Sequence, residues 1–244
     1  MRPFQLLRAL FALPAALFLT LLVSLAAIAG TTLLGWPVSV LLKMVRWWGR
    51  ALCAISGVTV RVEGMEHLEP GKPCIFAANH QSQFDIITLQ GFLTADFRWL
   101  AKKELFRVPV WGKAMRLAGY IPIDRSHGRE AIKSLAEAAQ RIADGTSVVI
   151  FPEGTRSRDG RLQPFKAGAM VLAIKSGVDL VPLGINGTHQ VLPKGRILAR
   201  PGRVTIRIGR PIATREYDPR RKHELAERLH AAVGELLDQK DATN

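Results

Sequence analysis

FAANHQSQFD, residues 76–85, joins an apolar run of strand length to a predicted helix and carries both an imidazole and a carboxylate. His80 and Asp85 cannot share a helix face, because five residues of α-helix leave two side chains about 140° apart. They can meet only if His80 lies at or before the helix start. Ser82, followed three residues later by Asp85, is a possible capping box that would let the carboxylate reach back. The alternative is that Asp85 only caps the helix while His80 is a hydrogen-bonded corner residue.

A second polar stretch, FPEGTRSRDG at residues 151–160, follows the strongest predicted buried strand. Pro152 and Gly154 shape a turn in which the backbone can approach a ligand. The planar guanidinium of Arg156 can offer two parallel donors to a phosphate, and Glu153 would be held in the same turn. The alternative is a surface loop with an ordinary ion pair.

The periodicity of the apolar residues predicts an α/β fold. Strands are predicted at residues 58–64, 74–79, 97–101, 120–124, 147–151, 179–185 and 203–209, and helices at 38–55, 85–92, 129–144, 165–177 and 219–240, with a broken helix at 104–119. Their alternation indicates a mixed, largely parallel sheet flanked by helices. Ligands of such sheets gather beyond the carboxyl ends of the strands, which is where His80 and Glu153 lie.

The N-terminal region is apolar for longer than a bilayer requires. Ala9–Leu42 contains no charged residue, whereas about 20 residues span a membrane. Three structures fit: a cleaved signal peptide ending at Ala27-Ile28-Ala29, a single transmembrane helix, or a helical hairpin broken near residues 30–32 or 35–37. The run continues past the cleavage-like site and is too long for a typical signal peptide, which favours the membrane alternatives.

Basic residues flank this apolar run on both sides, with Arg2 and Arg8 before it and Lys43, Arg46 and Arg50 after it. This distribution fits a hairpin whose two ends both face the cytoplasm. We therefore predict a membrane-associated N-terminal helical segment at residues 1–56 and an α/β domain at residues 57–244.

The formal net charge of +14 and the pI of about 10.6 favour anionic partners. The apolar N-terminus directs that preference towards lipid rather than nucleic acid. Residues 194–222 carry ten Lys or Arg and two acids, which is either a solvated face or a contact for anionic lipid or an acidic acyl donor. Cys53 and Cys74 have apolar neighbours and no metal-ligand spacing, so both are predicted to be buried free thiols.

Four stretches together resemble the motifs of the glycerolipid acyltransferase superfamily, specifically the 1-acylglycerol-3-phosphate acyltransferases. They are N-H-x-x-x-x-D at residues 79–85, KKEL at 102–105 continuing to GYIPIDR at 119–125, FPEGTRS at 151–157, and VPLGI at 181–185. Leu183 is a mild departure from the family pattern. The motifs occur in the family's order, which is far more specific than any one of them alone.

The resemblance implies transfer of an acyl chain from acyl-CoA or acyl carrier protein to the sn-2 hydroxyl of lysophosphatidate, forming phosphatidate. It implies that His80 and Asp85 form the catalytic pair, with His80 as general base and no covalent acyl-enzyme. The residues implied in phosphate binding are Arg156, Glu153, Gly154, Lys103 and Arg125, and those implied as motif support are Asn79, Thr155 and Pro182. The oxyanion donors would be amides near the helix start after His80.

No cofactor beyond the acyl donor and no metal are expected, and the expected location is the cytoplasmic face of the cell membrane. The nearest alternative is an acyltransferase acting on another lysolipid, such as a lyso-ornithine lipid. An alternative of another class is a non-catalytic basic protein that binds membrane surfaces or nucleic acid. The intact histidine, aspartate and FPEGTRS stretches argue against that class, so membrane lipid is expected as a partner and nucleic acid is not.

Overall fold

The computed structural model describes residues 3–124 and 128–238, with only the backbone described at residues 3–6. The helices are α1 (Pro3–Leu34), α2 (Val38–Ser56), α3 (Phe84–Phe92), α4 (Trp111–Leu117), α5 (Arg129–Ala143), α6 (Ala167–Ser176), α7 (Thr188–Val191) and α8 (Lys222–Glu235). The strands are β1 (Val58–Glu63), β2 (Cys74–Ala78), β3 (Arg98–Lys102), β4 (Ile121–Ile123), β5 (Val148–Ile150), β6 (Asp179–Asn186) and β7 (Gly202–Ile208).

The seven strands form one sheet in the order β1-β7-β6-β2-β5-β3-β4. Among the strands described, only β6 and β7 pair antiparallel. The predicted mixed, largely parallel sheet is therefore confirmed. Because β2, β3, β4, β5 and β6 run in the same direction, their carboxyl ends meet at one edge, and the loops that carry His80 and Glu153 leave the sheet there.

The sheet is covered on both faces because its central strands bury both sets of alternating side chains. Ile75 and Ala77 of β2 join a core cluster with α5, α6 and α8. Phe76 and Ala78 of the same strand join a second cluster with α2 and α3. A strand that is buried on both faces is expected in the middle of a parallel sheet, where it reads as a continuous apolar run.

The N-terminal region is a helical hairpin, as one of the sequence alternatives predicted, and it breaks at residues 35–37. Gly35 has a φ of +64°, and the N–H of Trp36 donates to the Gly30 carbonyl at 3.0 Å. At the open end, Arg8 donates to the carbonyls of Ile55 and Ala54 at 3.1 and 2.9 Å. The two ends of the hairpin are thereby tied together. Within it, Leu7–Leu34 is long and apolar enough to cross a bilayer by length and composition.

Helix α2 packs directly on α3 through two glycines. A Cβ added at Gly49 would lie 2.7 Å from the Gly91 nitrogen, so the backbones are in contact. Arg50 donates to the Gly91 carbonyl at 2.8 Å, and Arg46 donates to the Thr94 carbonyl at 2.9 Å. These bonds satisfy carbonyl groups at the end of α3 that no helical N–H can reach. The hairpin is therefore fixed to the helix whose first turn carries Asp85.

Two other predicted segments agree with the structure in part. Residues 103–117 are broken as predicted, into a 3-10 turn at Lys103–Arg107 and helix α4. The final helix begins at Lys222 rather than at Pro219, because the Asp218 carboxylate accepts the N–H groups of the two residues after Pro219 and forms a separate 3-10 turn. Helix α2 ends at Ser56, which is the last residue of the N-terminal segment predicted at residues 1–56.

We predict that Gly49→Ala destabilises the protein, because the added methyl would meet backbone atoms of α3 that cannot move independently. The expected cost is about 1–3 kcal/mol, seen as a fall of several degrees in Tm. The measurement is thermal unfolding of the full-length protein in detergent micelles.

The matched control is Gly168→Ala on α6, where no heavy atom lies within 4 Å of the added Cβ. This variant should be neutral or up to ~1 kcal/mol more stable, since alanine restricts the unfolded chain. Equal Tm values for the two variants would contradict close packing of α2 on α3.

Candidate active site

His80 and Asp85 meet at the carboxyl edge of the sheet. The Nδ1 atom of His80 lies 2.7 Å from Oδ2 of Asp85, and the aspartate side chain is fully buried whereas that of His80 is 13 % exposed. A carboxylate can only accept, so Nδ1 carries the proton of this bond. The lone pair of the imidazole is then on Nε2, which is free to accept a proton from a ligand.

Asp85 also closes the turn that precedes α3. Its Oδ2 accepts the N–H groups of Gln81 and Ser82 at 2.7 and 2.8 Å. In a capping box, the acid accepts the backbone N–H of the N-cap residue, and the bond from the Ser82 N–H to Asp85 is this half of the predicted box. The other half differs, because the Ser82 hydroxyl accepts from Phe84 at 3.0 Å, and α3 starts at Phe84. The amides of Gln81, Ser82 and Phe84 are therefore already bonded, which leaves them unsuited as oxyanion donors.

Aromatic stacking fixes the plane of the His80 ring. The Phe151 ring lies parallel to it with centroids 3.9 Å apart and an interplanar angle of 10°. Trp99 in turn stacks on Phe151, with centroids 5.8 Å apart. The imidazole is thus held by a hydrogen bond in its plane and by packing against its face.

Glu153 holds the backbone of His80. It is 3 % exposed, and its Oε1 accepts the His80 N–H at 2.6 Å. Its Oε2 accepts from the side chain and the main chain of Gln163 at 2.9 and 3.3 Å. Burial raises the pKa of Glu153 to about 7, although the bonds from His80 and Gln163 act in the opposite direction. The carboxyl group is buried against the His80 backbone and Gln163, so Glu153 is not part of an ordinary ion pair on an exposed loop.

The rest of the FPEGTRS turn presents cations. Gly154 has a φ of +74°, and a Cβ there would lie 2.9 Å from the Lys166 ammonium. Lys194 donates to the Arg156 carbonyl at 2.7 Å and fixes the main chain beside Thr155, which is exposed. The half-buried Arg156 guanidinium makes no hydrogen bond or ion pair with another described residue. This turn therefore has the charge and the free donors that an anion would need.

Of the other residues implied in phosphate binding, Lys103 lies further along the same edge. Lys103 follows β3 and pairs with Asp124 at 2.5 Å, which neutralises much of its charge. Asp124 follows β4, two strands from β5. Arg125 lies outside the described residues.

Asn79 and Pro182 support the site from the sheet. The Asn79 side chain donates to the Ile185 carbonyl at 2.9 Å and accepts its N–H at 2.7 Å, which joins the ends of β2 and β6. Pro182 is buried in β6 opposite Ala77 of β2. Both residues fix the strand from which His80 departs.

An apolar cavity of about 260 Å³ lies beside His80. Its wall comes from the hairpin, from α3 and α4, and from β3, and includes Thr20, Val23, Ala27, Leu41, Val45, Trp48, Trp99, Met115, Ala118 and Phe151. Within residues 3–124 and 128–238, no three His, Cys, Asp or Glu side chains are grouped as a metal ion would need. The site thus combines an oriented imidazole, a cationic turn and an apolar cavity.

Four residues at the site were not found from the sequence: Gln163, Lys166, Thr188 and Lys194. Gln163 and Lys166 follow FPEGTRS closely, just before and in the first turn of the helix predicted at residues 165–177, and this position was a usable signal. Thr188 reaches the site because β6 pairs with β2, and no local pattern marks it. Lys194 belongs to the basic stretch at residues 194–222, but its place at this site was not predicted.

The model of the family described as Acyltransferase matches residues 59–186 of the chain. The chain is 39 % identical over 153 residues to the chloroplastic 1-acyl-sn-glycerol-3-phosphate acyltransferase of Brassica napus, a match covering 62 % of this chain and 44 % of that protein. It is 34 % identical over 184 residues to the 1-acyl-sn-glycerol-3-phosphate acyltransferase of Pseudomonas aeruginosa, covering 75 % and 70 %. The chain thus spans about half the length of the Brassica relative.

A solved structure is also similar. It is the crystal structure of the 1-acyl-sn-glycerophosphate acyltransferase PlsC from Thermotoga maritima, with a TM-score of 0.67 and 28 % identity. The superposition covers 89 % of this chain and 95 % of that one, so it includes more than the sheet.

We predict that Glu153 makes stability fall as the pH rises. The folded protein holds the Glu153 proton up to about pH 7, whereas the unfolded chain releases it near the ordinary pKa of 4.5. Between these values the folded state binds more protons, so the free energy of unfolding decreases with pH. Relative to Glu153→Gln, the wild type should lose on the order of 3 kcal/mol between about pH 4 and about pH 8.

The measurement is denaturant unfolding of both proteins across that range. Glu137→Gln, at an exposed position on α5, is the control and should follow the wild type. A wild type and a Glu153→Gln variant with parallel pH dependence would contradict a protonated Glu153 in the folded state.

Proposed function

The chain belongs to the acyltransferase family, and on this premise we propose that it transfers an acyl chain from a thioester to the sn-2 hydroxyl of lysophosphatidate, forming phosphatidate. The observation that carries the proposal is the His80–Asp85 pair, joined at 2.7 Å, in the wall of an apolar cavity. The names of the Brassica and Pseudomonas relatives support the acceptor.

His80 acts as the general base in the proposed reaction. Its Nε2 takes the proton of the acceptor hydroxyl while the hydroxyl oxygen forms a bond to the thioester carbonyl carbon. Asp85 stabilises the imidazolium formed in this step and holds the tautomer that leaves Nε2 unprotonated. When the tetrahedral intermediate collapses, the carbon–sulfur bond breaks and the imidazolium returns the proton to the leaving thiolate. Atoms and charges balance without a covalent acyl-enzyme.

The acyl chain lies in the apolar cavity between the hairpin and the sheet. The cavity wall is mostly hydrocarbon and aromatic side chains, which suits a chain that has no hydrogen-bonding groups. His80 belongs to the same wall, so a thioester carbonyl at the mouth of the cavity would lie beside the imidazole.

Arg156 binds the phosphate of the acceptor, supported by the positive charges of Lys166 and Lys194 around the same turn. Arg156 has donors that no described residue uses, and its main chain is fixed by the 2.7 Å bond from Lys194. A bound phosphate would position the hydroxyl for attack, which contributes strongly to rate. In the proposal, Lys103 extends this cationic edge, and Glu153 orders the site by holding the His80 backbone.

The hairpin attaches the enzyme to the cytoplasmic face of the cell membrane in the proposal. Its large exposed apolar side chains on α1 are Leu7, Leu10, Phe11, Leu17, Phe18, Leu21, Leu22, Leu25, Leu33 and Leu34. Burying such a surface in lipid is favourable. The donor is acyl-CoA or acyl carrier protein, both of which are acidic and match the net charge of +14.

We predict that purified full-length protein releases thiol from an acyl thioester when lysophosphatidate is supplied. His80→Ala should lower kcat by about 10²–10⁴-fold, because the base is lost, without weakening lysophosphatidate binding. The measurement is thiol release against a panel of lysolipids that includes lyso-ornithine lipid.

The matched control is His223→Ala, which removes an exposed histidine from α8 and should leave kcat unchanged. Near-normal turnover by His80→Ala would contradict the assignment of His80 as the general base. Turnover with another lysolipid but none with lysophosphatidate would overturn the assignment of lysophosphatidate as the acyl acceptor.

Arg156→Lys should raise the KM for lysophosphatidate more than the KM for the acyl donor, because an ammonium is a point charge that cannot replace a bidentate fork. We expect a change of roughly tenfold or more, from the loss of one charge-assisted hydrogen bond. Initial rates with each substrate varied in turn measure both constants.

Arg158→Lys is the control, since Arg158 is exposed in the same loop, and it should change neither KM. A larger rise in the donor KM for Arg156→Lys would assign Arg156 to the acyl donor instead.

A further inference from the structure

The two oxygens of the Asp85 carboxylate have different partners. Oδ2 accepts from His80 and from the N–H groups of Gln81 and Ser82. Oδ1 accepts from the hydroxyl of Thr188 at 2.5 Å. Asp85 and Thr188 are both 0 % exposed, so water does not reach this bond. Within the described part of the chain, the Thr188 hydroxyl is the only group that donates a hydrogen bond to Oδ1.

Thr188 comes from a distant part of the chain and lies outside the four motif stretches. It is the first residue of α7, directly after β6 and Gly187. Gly187 has a φ of +93°, and a Cβ there would lie 2.2 Å from the Arg203 carbonyl oxygen on β7. A larger residue cannot make this turn. Contact of the Gly187 backbone with β7 therefore fixes where the Thr188 hydroxyl lies.

We propose that Thr188 is a positioning residue for the acyl transfer, acting on His80 through Asp85. This inference rests on the proposed function. The torsion of a carboxylate about Cβ–Cγ is broad and nearly two-fold. In Asp85 the amides of Gln81 and Ser82 hold Oδ2, and the Thr188 hydroxyl restrains the same torsion from the opposite oxygen, Oδ1. With Oδ1 held, Oδ2 stays in line with Nδ1 of His80.

The bond matters more in the transition state than in the resting enzyme. When His80 takes the proton of the acceptor hydroxyl, its ring becomes positive, and its attraction to Asp85 increases. A carboxylate turned out of line would stabilise that imidazolium less, while substrate binding, which involves other residues, would be unaffected. Loss of the hydroxyl therefore lowers kcat rather than raising KM.

The experiment compares full-length wild type, Thr188→Val and Thr188→Ser in thiol-release assays with lysophosphatidate. Valine keeps the shape of the side chain without the hydroxyl, and serine keeps the hydroxyl. We expect Thr188→Val to lower kcat roughly tenfold or more with the KM for lysophosphatidate changed less than about twofold. Thr188→Ser should remain within about threefold of the wild-type kcat, because the donor is retained.

Thr214→Val is the matched control. Thr214 is also 0 % exposed, and its hydroxyl donates to the Val178 carbonyl at 2.8 Å, at the end of β6 opposite the site. This variant loses a buried hydroxyl of the same kind, so its Tm should fall while its kcat stays at the wild-type value. If Thr188→Val does not fold, Thr188→Ala enters the same comparison.

A wild-type kcat in Thr188→Val, or an equal fall in Thr214→Val, would overturn the positioning role. So would a Thr188→Ser variant as slow as Thr188→Val. A wild type that transfers no acyl chain to any lysolipid would instead overturn the proposed function, so the two failures are distinct.

Discussion

His80 is held between two buried carboxyl groups, and the cost of burying these polar groups is the constraint on which the site depends. Asp85 binds the ring, and Glu153 binds the backbone N–H. A buried carboxylate is costly unless donors surround it. The donors come from the turn after β2, from Gln163 beyond β5, and from Thr188 beyond β6. Three loops are therefore required to meet at one point of the sheet edge, and the parallel strand order makes this possible.

The same constraint connects the hairpin to the chemistry. Asp85 stands in the first turn of α3, and the far end of that helix is closed by Arg46 and Arg50 of α2. The close contact of Gly49 with Gly91 leaves little freedom between the two helices. The apolar N-terminal region thus belongs to the same packed unit as the site, since one helix carries the aspartate and contacts the hairpin.

The parts of this site that nearby sequence patterns mark could be predicted from the sequence. The ends of two buried strands marked His80 and Glu153, and residues 35–37 were one of the two places where a break of the hairpin was predicted. The two alternatives for Asp85 turned out not to exclude each other, because one carboxylate both binds His80 and accepts backbone N–H groups. Long-range contacts could not be predicted: Thr188 lies 103 residues from Asp85 along the chain, and nothing in residues 186–192 marks its partner.

Under the proposed function, the arrangement suggests a route by which an amphiphilic substrate would reach His80. The cationic turn after β5 carries Arg156, whereas the cavity wall is supplied partly by α1 and α2. The outer surface of α1 is apolar along its length. A hydrocarbon chain that entered the cavity from a bilayer, between these helices, would avoid crossing water, which would cost about 0.8 kcal/mol for each exposed methylene. A phosphate group instead favours a polar, cationic environment and would stay beside the cationic turn. The imidazole lies between these two environments, which is where the ester bond of the product would form.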